Sequence, residues 1–224
     1  MNITYFRKRI PGIESILEDR VADQLDSLFN HRADPSWIAG SIPVGASRPD
    51  LLLVYYGQEV FAFTSFDNLS ISVLAYLRGV GAARPSTIGV KLQISEEVVN
   101  EELFRLVSNN AVVRNRDSYS VSPTWKEILP EVISIEIKVS NWKRALQQAQ
   151  MNRAFSHRSY IAVPNSIADR ISESTKFRAS GIGLISISME APANLMVKAV
   201  QEEPKVWSYY YAIASRLAHI NQED

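Results

Sequence analysis

An acid and a base two positions apart, Glu136 and Lys138, stand in the segment 131–140, E-V-I-S-I-E-I-K-V-S. Side chains on a strand alternate between faces. Ile133, Ile135, Ile137 and Val139 therefore make one aliphatic face, and Ser134, Glu136, Lys138 and Ser140 the other. A carboxylate that can hold a divalent cation, beside an amine that can hold a water or a phosphate oxygen, is equipment for phosphodiester hydrolysis. The same pattern also describes a half-solvated strand with an ordinary Glu–Lys neighbour pair, because E-x-K is short and common.

The rest of the composition removes other chemistries. The chain has 224 residues and no cysteine, which excludes disulfides, thiolate zinc sites and a cysteine nucleophile. Its three histidines are scattered without metal-ligand spacing. There is no phosphate-binding glycine loop and no serine in a nucleophile-elbow sequence. With 24 basic and 24 acidic residues the net charge is zero, so any DNA-facing surface must be local. Residues 1–12 carry charges but no apolar run, unlike a secretory signal. No stretch approaches a membrane span. These features predict a cytoplasmic protein with no membrane partner.

The elements that must position Glu136 and Lys138 follow from periodicity. Leu17, Val21, Leu25 and Leu28 predict a helix over 13–29. Polar residues and Pro35 predict a loop. Pro49-Asp50 opens an apolar strand over 51–56. Gly57-Gln58 reads as a hairpin turn returning a second strand over 59–66. Short helices over 72–78 and 85–92 follow, then one capped by Ser95 with acids in its first turn. A hairpin over 112–121 comes next. After the 131–140 strand, helices over 141–154 and 167–177 alternate with strands over 159–163 and 184–188. That alternation favours a mixed or parallel sheet. A further strand over 195–200 and a helix over 207–220 complete the reading.

Without residues 67–130, the order is helix, strand with Pro49-Asp50, strand, strand with Glu136-Ile137-Lys138, helix, strand, helix, strand. This resembles the PD-(D/E)xK nuclease superfamily. The implied fold is α/β, a restriction-endonuclease-like mixed sheet flanked by helices. The intervening three helices and hairpin resemble a winged helix-turn-helix, so the domains are read as 1–66 with 131–224, and an inserted 67–130. The chain departs from the superfamily in the long stretch between the two halves of the motif.

The resemblance implies a metal-dependent DNA endonuclease. Asp50 and Glu136 would hold Mg²⁺ (or Mn²⁺) with the main-chain carbonyl of Ile137, since Mg²⁺ prefers oxygen and keeps several waters. Lys138 would orient a water or offset charge on phosphate oxygens. Members often add a first-helix glutamate, for which Glu14 and Glu18 are the candidates. On the helix after Lys138, Asn141, Gln148 and Asn152 form an amide flank. Some branches carry a glutamine with a tyrosine four residues on. Here Gln148 is followed by Asn152, so Gln148 stands as a candidate catalytic residue with its partner changed.

Two basic regions are candidate DNA contacts. Between Lys138 and Ser180 the cations, among them Lys143, Arg144, Arg153 and Arg158, are opposed only by Asp169 and Glu173. The hairpin offers Arg114 and Arg116. The third helix of the insert carries Glu96, Glu97, Glu101 and Glu102 where a DNA reader would meet phosphates. This unit is therefore expected to serve a homodimer or a protein partner. The rival reading of the whole chain is a nuclease-like module that binds DNA or protein without turnover.

Overall fold

A computed structural model describes residues 3–29 and 35–220. In chain order the elements begin β1 (Ile3–Tyr5), α1 (Ile13–Ala22), α2 (Leu25–Phe29), β2 (Ser36–Gly40) and β3 (Leu51–Tyr55). A 3₁₀ helix (Gln58–Ser65) leads to α3 (Asn68–Val80), α4 (Pro85–Leu92), α5 (Glu96–Ser108), β4 (Val112–Asn115), β5 (Ser118–Val121) and α6 (Pro123–Lys126). Then come β6 (Glu131–Ile137), α7 (Trp142–Asn152), β7 (Arg158–Pro164), α8 (Asn165–Ser172), α9 (Thr175–Ala179), β8 (Gly183–Ile187), β9 (Asn194–Val197) and α10 (Trp207–Ile220). None of the described helices is long and apolar enough to cross a membrane.

The chain divides into two compact units, 1–55 with 131–205, and 56–130 with 206–224. The first is an α/β unit built on a seven-stranded mixed sheet in the order β1-β2-β3-β6-β7-β8-β9. Strands β6, β7 and β8 run parallel, while β3 pairs antiparallel with both β2 and β6. One face of the sheet carries Leu53, Ile133, Ile135, Ile137 and Ile185 against Leu17, Val21 and Leu25 of α1 and α2. The other carries Ile161, Val163 and Leu184 against Ala145 and Ala149 of α7, Ile171 of α8 and Phe177 of α9. Every residue of β3 and β6 is buried, as expected for strands covered on both faces.

The chain leaves this unit after Tyr55 and re-enters at Glu131, and these two residues are antiparallel partners. The ends of the excursion are thus held side by side, the condition under which a sheet tolerates an inserted unit.

The second unit has an aromatic core. Phe63 packs on Phe66, Trp125 and Tyr211. The Tyr210 hydroxyl accepts from the Leu129 amide at 2.9 Å and donates to the Leu129 carbonyl at 3.1 Å. Asp67 caps α3 by accepting from the Leu69 and Ser70 amides. Arg105 on α5 pairs with Asp67 and with buried Glu102.

Three expectations are corrected here. The segment 59–66 is a 3₁₀ helix and not a strand. Gly57 has φ −83°, so it lacks the positive φ that a type II′ turn needs at its first position, and both edges of β3 are already taken by β2 and β6. The stretch after Pro35 contains β2, which supplies the second neighbour of β3. The boundaries of the insert also move. Residues 56–66 and the C-terminal helix α10 belong with the second unit, because α10 packs on the 3₁₀ helix and on α3.

Candidate active site

Asp50 and Glu136 meet through strand register. Leu51 pairs with Ile135, so Asp50 stands one step beyond, opposite Glu136. The amide of Ser41 donates to the Asp50 carbonyl at 3.0 Å, and Ser41 itself has φ 54°, an unusual backbone state for a serine beside a candidate site. Oδ2 of Asp50 accepts from the Ile137 amide at 2.7 Å and from Lys138 Nζ at 3.0 Å. Strand β6 stops at Ile137, and Lys138 reaches back so that Nζ also donates to the Ile137 carbonyl at 2.8 Å. The motif residues are therefore brought together.

Glu136 is fully buried. Its Oε1 accepts from Asn152 Nδ2 at 2.7 Å, and Asn152 Oδ1 accepts from the Ser47 hydroxyl. Its Oε2 is buried without a hydrogen-bond partner among the described residues. Burial, reinforced by the negative charge of Asp50, raises its pKa to about 8, against the opposing Asn152 hydrogen bond and the Lys138 charge. For Lys138, burial favours the neutral amine. The carboxylates of Asp50, Glu14 and Glu136 outweigh that and hold the ammonium above its usual pKa.

Helix α1 supplies both glutamates named from the sequence. Glu18 is half-buried, and burial together with the charge of Asp50 raises its pKa to about 7. Arg9 Nε lies 3.4 Å from its Oε2. Glu14 is exposed, with Oε2 3.9 Å from Lys138 Nζ. Glu14, Glu18 and Asp50 border one hollow together with Arg7, Lys8 and Arg9.

The donor set suits a hard divalent ion. No three His, Cys, Asp or Glu side chains among the described residues close around one point. Mg²⁺ does not need three, because it is bound through one or two carboxylates and retains waters. Asp50, Glu136 with its unpartnered oxygen, and the Ile137 carbonyl are the groups that could hold such an ion.

Other named residues are placed differently. Asn141 caps α7, accepting from the Arg144 amide at 3.1 Å. Among the described residues Gln148 makes no hydrogen bond to the carboxylates, and its Oε1 is buried without a partner. Asn152, one turn on, is the amide that reaches a site carboxylate. The helix was legible, but which of its amides meets β6 depends on packing between distant segments.

The basic footprint is also reduced. Arg153 is paired with Glu202 and donates to the Ser180 carbonyl at 3.0 Å. Arg158 Nε stands 3.1 Å from Glu131 Oε1, and Nη2 donates to Gln201 at 2.8 Å. Both are engaged within the unit. Lys143 and Arg144 are exposed at the start of α7. Arg114 and Arg116 are exposed on the hairpin of the second unit, where Arg114 Nε donates to the Arg116 carbonyl at 3.0 Å. Compared with protein-family models, with curated proteins and with solved structures, the chain matches none.

Proposed function

We propose that this chain is a divalent-metal-dependent DNA endonuclease, with a restriction-endonuclease-like first unit interrupted by a winged-helix-like one. One observation carries the reading. Two carboxylates on adjacent strands, Asp50 and buried Glu136, share a strand end with a lysine 3.0 Å from Asp50.

Mg²⁺ would be held by Asp50, Glu136 and the Ile137 carbonyl, with Glu18 or Glu14 adjoining. When bound it supplies charge neutralisation and a water of lowered pKa. Asn152 fixes the rotation of the Glu136 carboxylate, so that Oε2 is the free oxygen. The Ile137 amide and Ser41 fix Asp50 from its side chain and its carbonyl. Lys138 holds a positive charge at neutral pH, and with a substrate present that charge stabilises the phosphate oxygens as negative charge builds in the transition state. Before substrate arrives, the same ammonium compensates Asp50.

The test is a cleavage assay on supercoiled, linear, single-stranded and branched DNA with Mg²⁺ or Mn²⁺. Cleavage that requires the metal and is lost in Lys138→Ala is expected. Absence of cleavage on every substrate overturns the reading and leaves a binding module without turnover.

A further inference from the structure

Arg7 and Lys8 lie beside the candidate carboxylates yet form no ion pair among the described residues, and both are exposed. Their segment is anchored on both sides. Before it, β1 pairs with β2, and the Phe6 amide donates to the Gly40 carbonyl at 3.0 Å. The Tyr5 ring lies against Gly40 so closely that any Cβ there would overlap it. After it, the Arg9 guanidinium lies 4.6 Å from the centre of the Tyr5 ring and binds Asp19 on α1 at 2.8 Å. Arg9 is thus neutralised locally, while Arg7 and Lys8 are held at the rim as free cations.

The hollow they border measures about 190 Å³. It falls below the ~300–1,000 Å³ of pockets that enclose organic ligands. Open to solvent on one side, it accommodates a phosphate group of a strand lying across its mouth. Three carboxylates on its wall would repel such an anion, so nearby cations must offset them.

We propose that Arg7 and Lys8 form a phosphate site that seats the nucleic-acid strand against the Asp50–Glu136 centre, next to the phosphate that is cut. This rests on the nuclease reading for its substrate. The backbone that carries the charge is placed in advance, since the segment is pinned at Phe6 and Arg9, so binding has only the two side chains to order.

The experiment measures binding of a fluorescent duplex by anisotropy in Ca²⁺ over a salt series, for the full chain and for R7A/K8A and R7K/K8R. R7A/K8A should weaken binding at least about tenfold, and should shrink the slope of log affinity against log salt by about 1.8, two phosphate contacts at ~0.9 each. R7K/K8R should restore both, and Mn²⁺ affinity by calorimetry should be equal or higher in R7A/K8A, because the lost cations no longer oppose a metal ion at the carboxylates. Wild-type affinity and slope in R7A/K8A would overturn the proposal, as would a wild type that binds no DNA. Binding that depends on Arg7 and Lys8 without any cleavage in Mg²⁺ would keep this site and remove the nuclease reading. Oligonucleotides with a 5′-phosphate, a 5′-hydroxyl or closed ends identify the source. A 5′-phosphate preference lost in R7A/K8A marks a terminal phosphate, and equal losses on all three mark an internal one.

Discussion

Lys138 Nζ lies 3.0 Å from the Asp50 oxygen that also accepts the Ile137 amide. One carboxylate oxygen thus joins the strand ladder to the only lysine of the motif. The two roles separate on mutation. Lys138→Ala leaves the Ile137 hydrogen bond and both carboxylates in place. It should lower DNA cleavage by at least ~100-fold, the loss typical of removing one preorganised charge or donor from a transition state. Asp50→Ala and Glu136→Ala should lose cleavage and Mn²⁺ binding together. Cleavage kinetics and calorimetry on the three variants check this, and a Lys138→Ala protein cutting at the wild-type rate would remove Lys138 from the chemistry.

Asn152 controls which Glu136 oxygen is free. It donates to Oε1 at 2.7 Å and accepts from Ser47, and all of its side chain is buried. Partners that orient a ligand are worth about 10–100-fold in metal affinity when removed. Asn152→Ala should weaken Mn²⁺ binding in that range, and should cost about 1–3 kcal/mol of stability by stranding a buried acceptor. Ser47→Ala, one bond further out, should do less of both. Calorimetry and thermal melting on the pair test the order. Equal effects, or none on metal affinity, would mean that Asn152 serves the fold alone.

Helix α5 should not read DNA. Glu96, Glu97 and Glu101 are exposed along it, while Glu102 is buried and paired with Arg105. Neutralising the three exposed acids should leave DNA affinity equal or higher, because it removes repulsion of phosphates. If α5 serves protein contact, the same changes should disturb assembly, read by light scattering. Phe104, 77% exposed on this helix, is apolar surface available for that use. Glu102→Gln should instead lower the melting temperature through its loss of charge beside Arg105. A sharp, sequence-dependent fall in DNA affinity from the exposed acids would identify α5 as a reader.

What the sequence disclosed was local. The alternation of 131–137 gave β6, its aliphatic face and the placement of Glu136 opposite that face. Pro85 at a first helical turn and Ser95 as a cap located α4 and α5. The failures were long-range. Strand β2 is five residues of mixed character after a loop-like stretch, and only its pairing with β3 makes it a strand. Gly57-Gln58 carries a hairpin's residue types, but the vacancy it would have filled beside β3 belongs to β6. Arg153 and Arg158 looked free because Glu202 and Glu131, which engage them, lie outside their stretch of chain. Arg7 and Lys8 have no local signature, and it is β1 and α1 that place them at the carboxylates. Asn152 was visible on the right helix, yet its partner could be named only once α7 was packed on β6.

The two raised carboxylates give the metal-free protein a pH dependence of definite sign. Glu136 is raised from 4.5 to about 8 and Glu18 from 4.5 to about 7, each chiefly by burial and then by Asp50. The folded state therefore binds these protons more tightly than the unfolded chain does. Their contribution to stability is complete below the unfolded pKa of 4.5 and is lost as pH rises through about 7 and about 8. The thermal midpoint in EDTA should accordingly fall between pH ~5 and ~8.5. Glu136→Gln keeps an acceptor for Asn152 and cannot ionise. It should reduce the slope across the whole window, most completely above pH ~7 where Glu136 acts alone, and melt above wild type at the alkaline end, by about 2–4 °C for each kcal/mol relieved. Glu18→Gln should flatten the lower part. Mg²⁺ should reverse the trend in the wild type, raising the midpoint more at pH ~8.5 than at pH ~6, because the ion requires deprotonated ligands. Melting curves across pH, with and without Mg²⁺, decide the matter. An identical fall in wild type and both glutamine variants would show that neither carboxylate is strained by its site, and would take away the electrostatic reason for a cation to bind there.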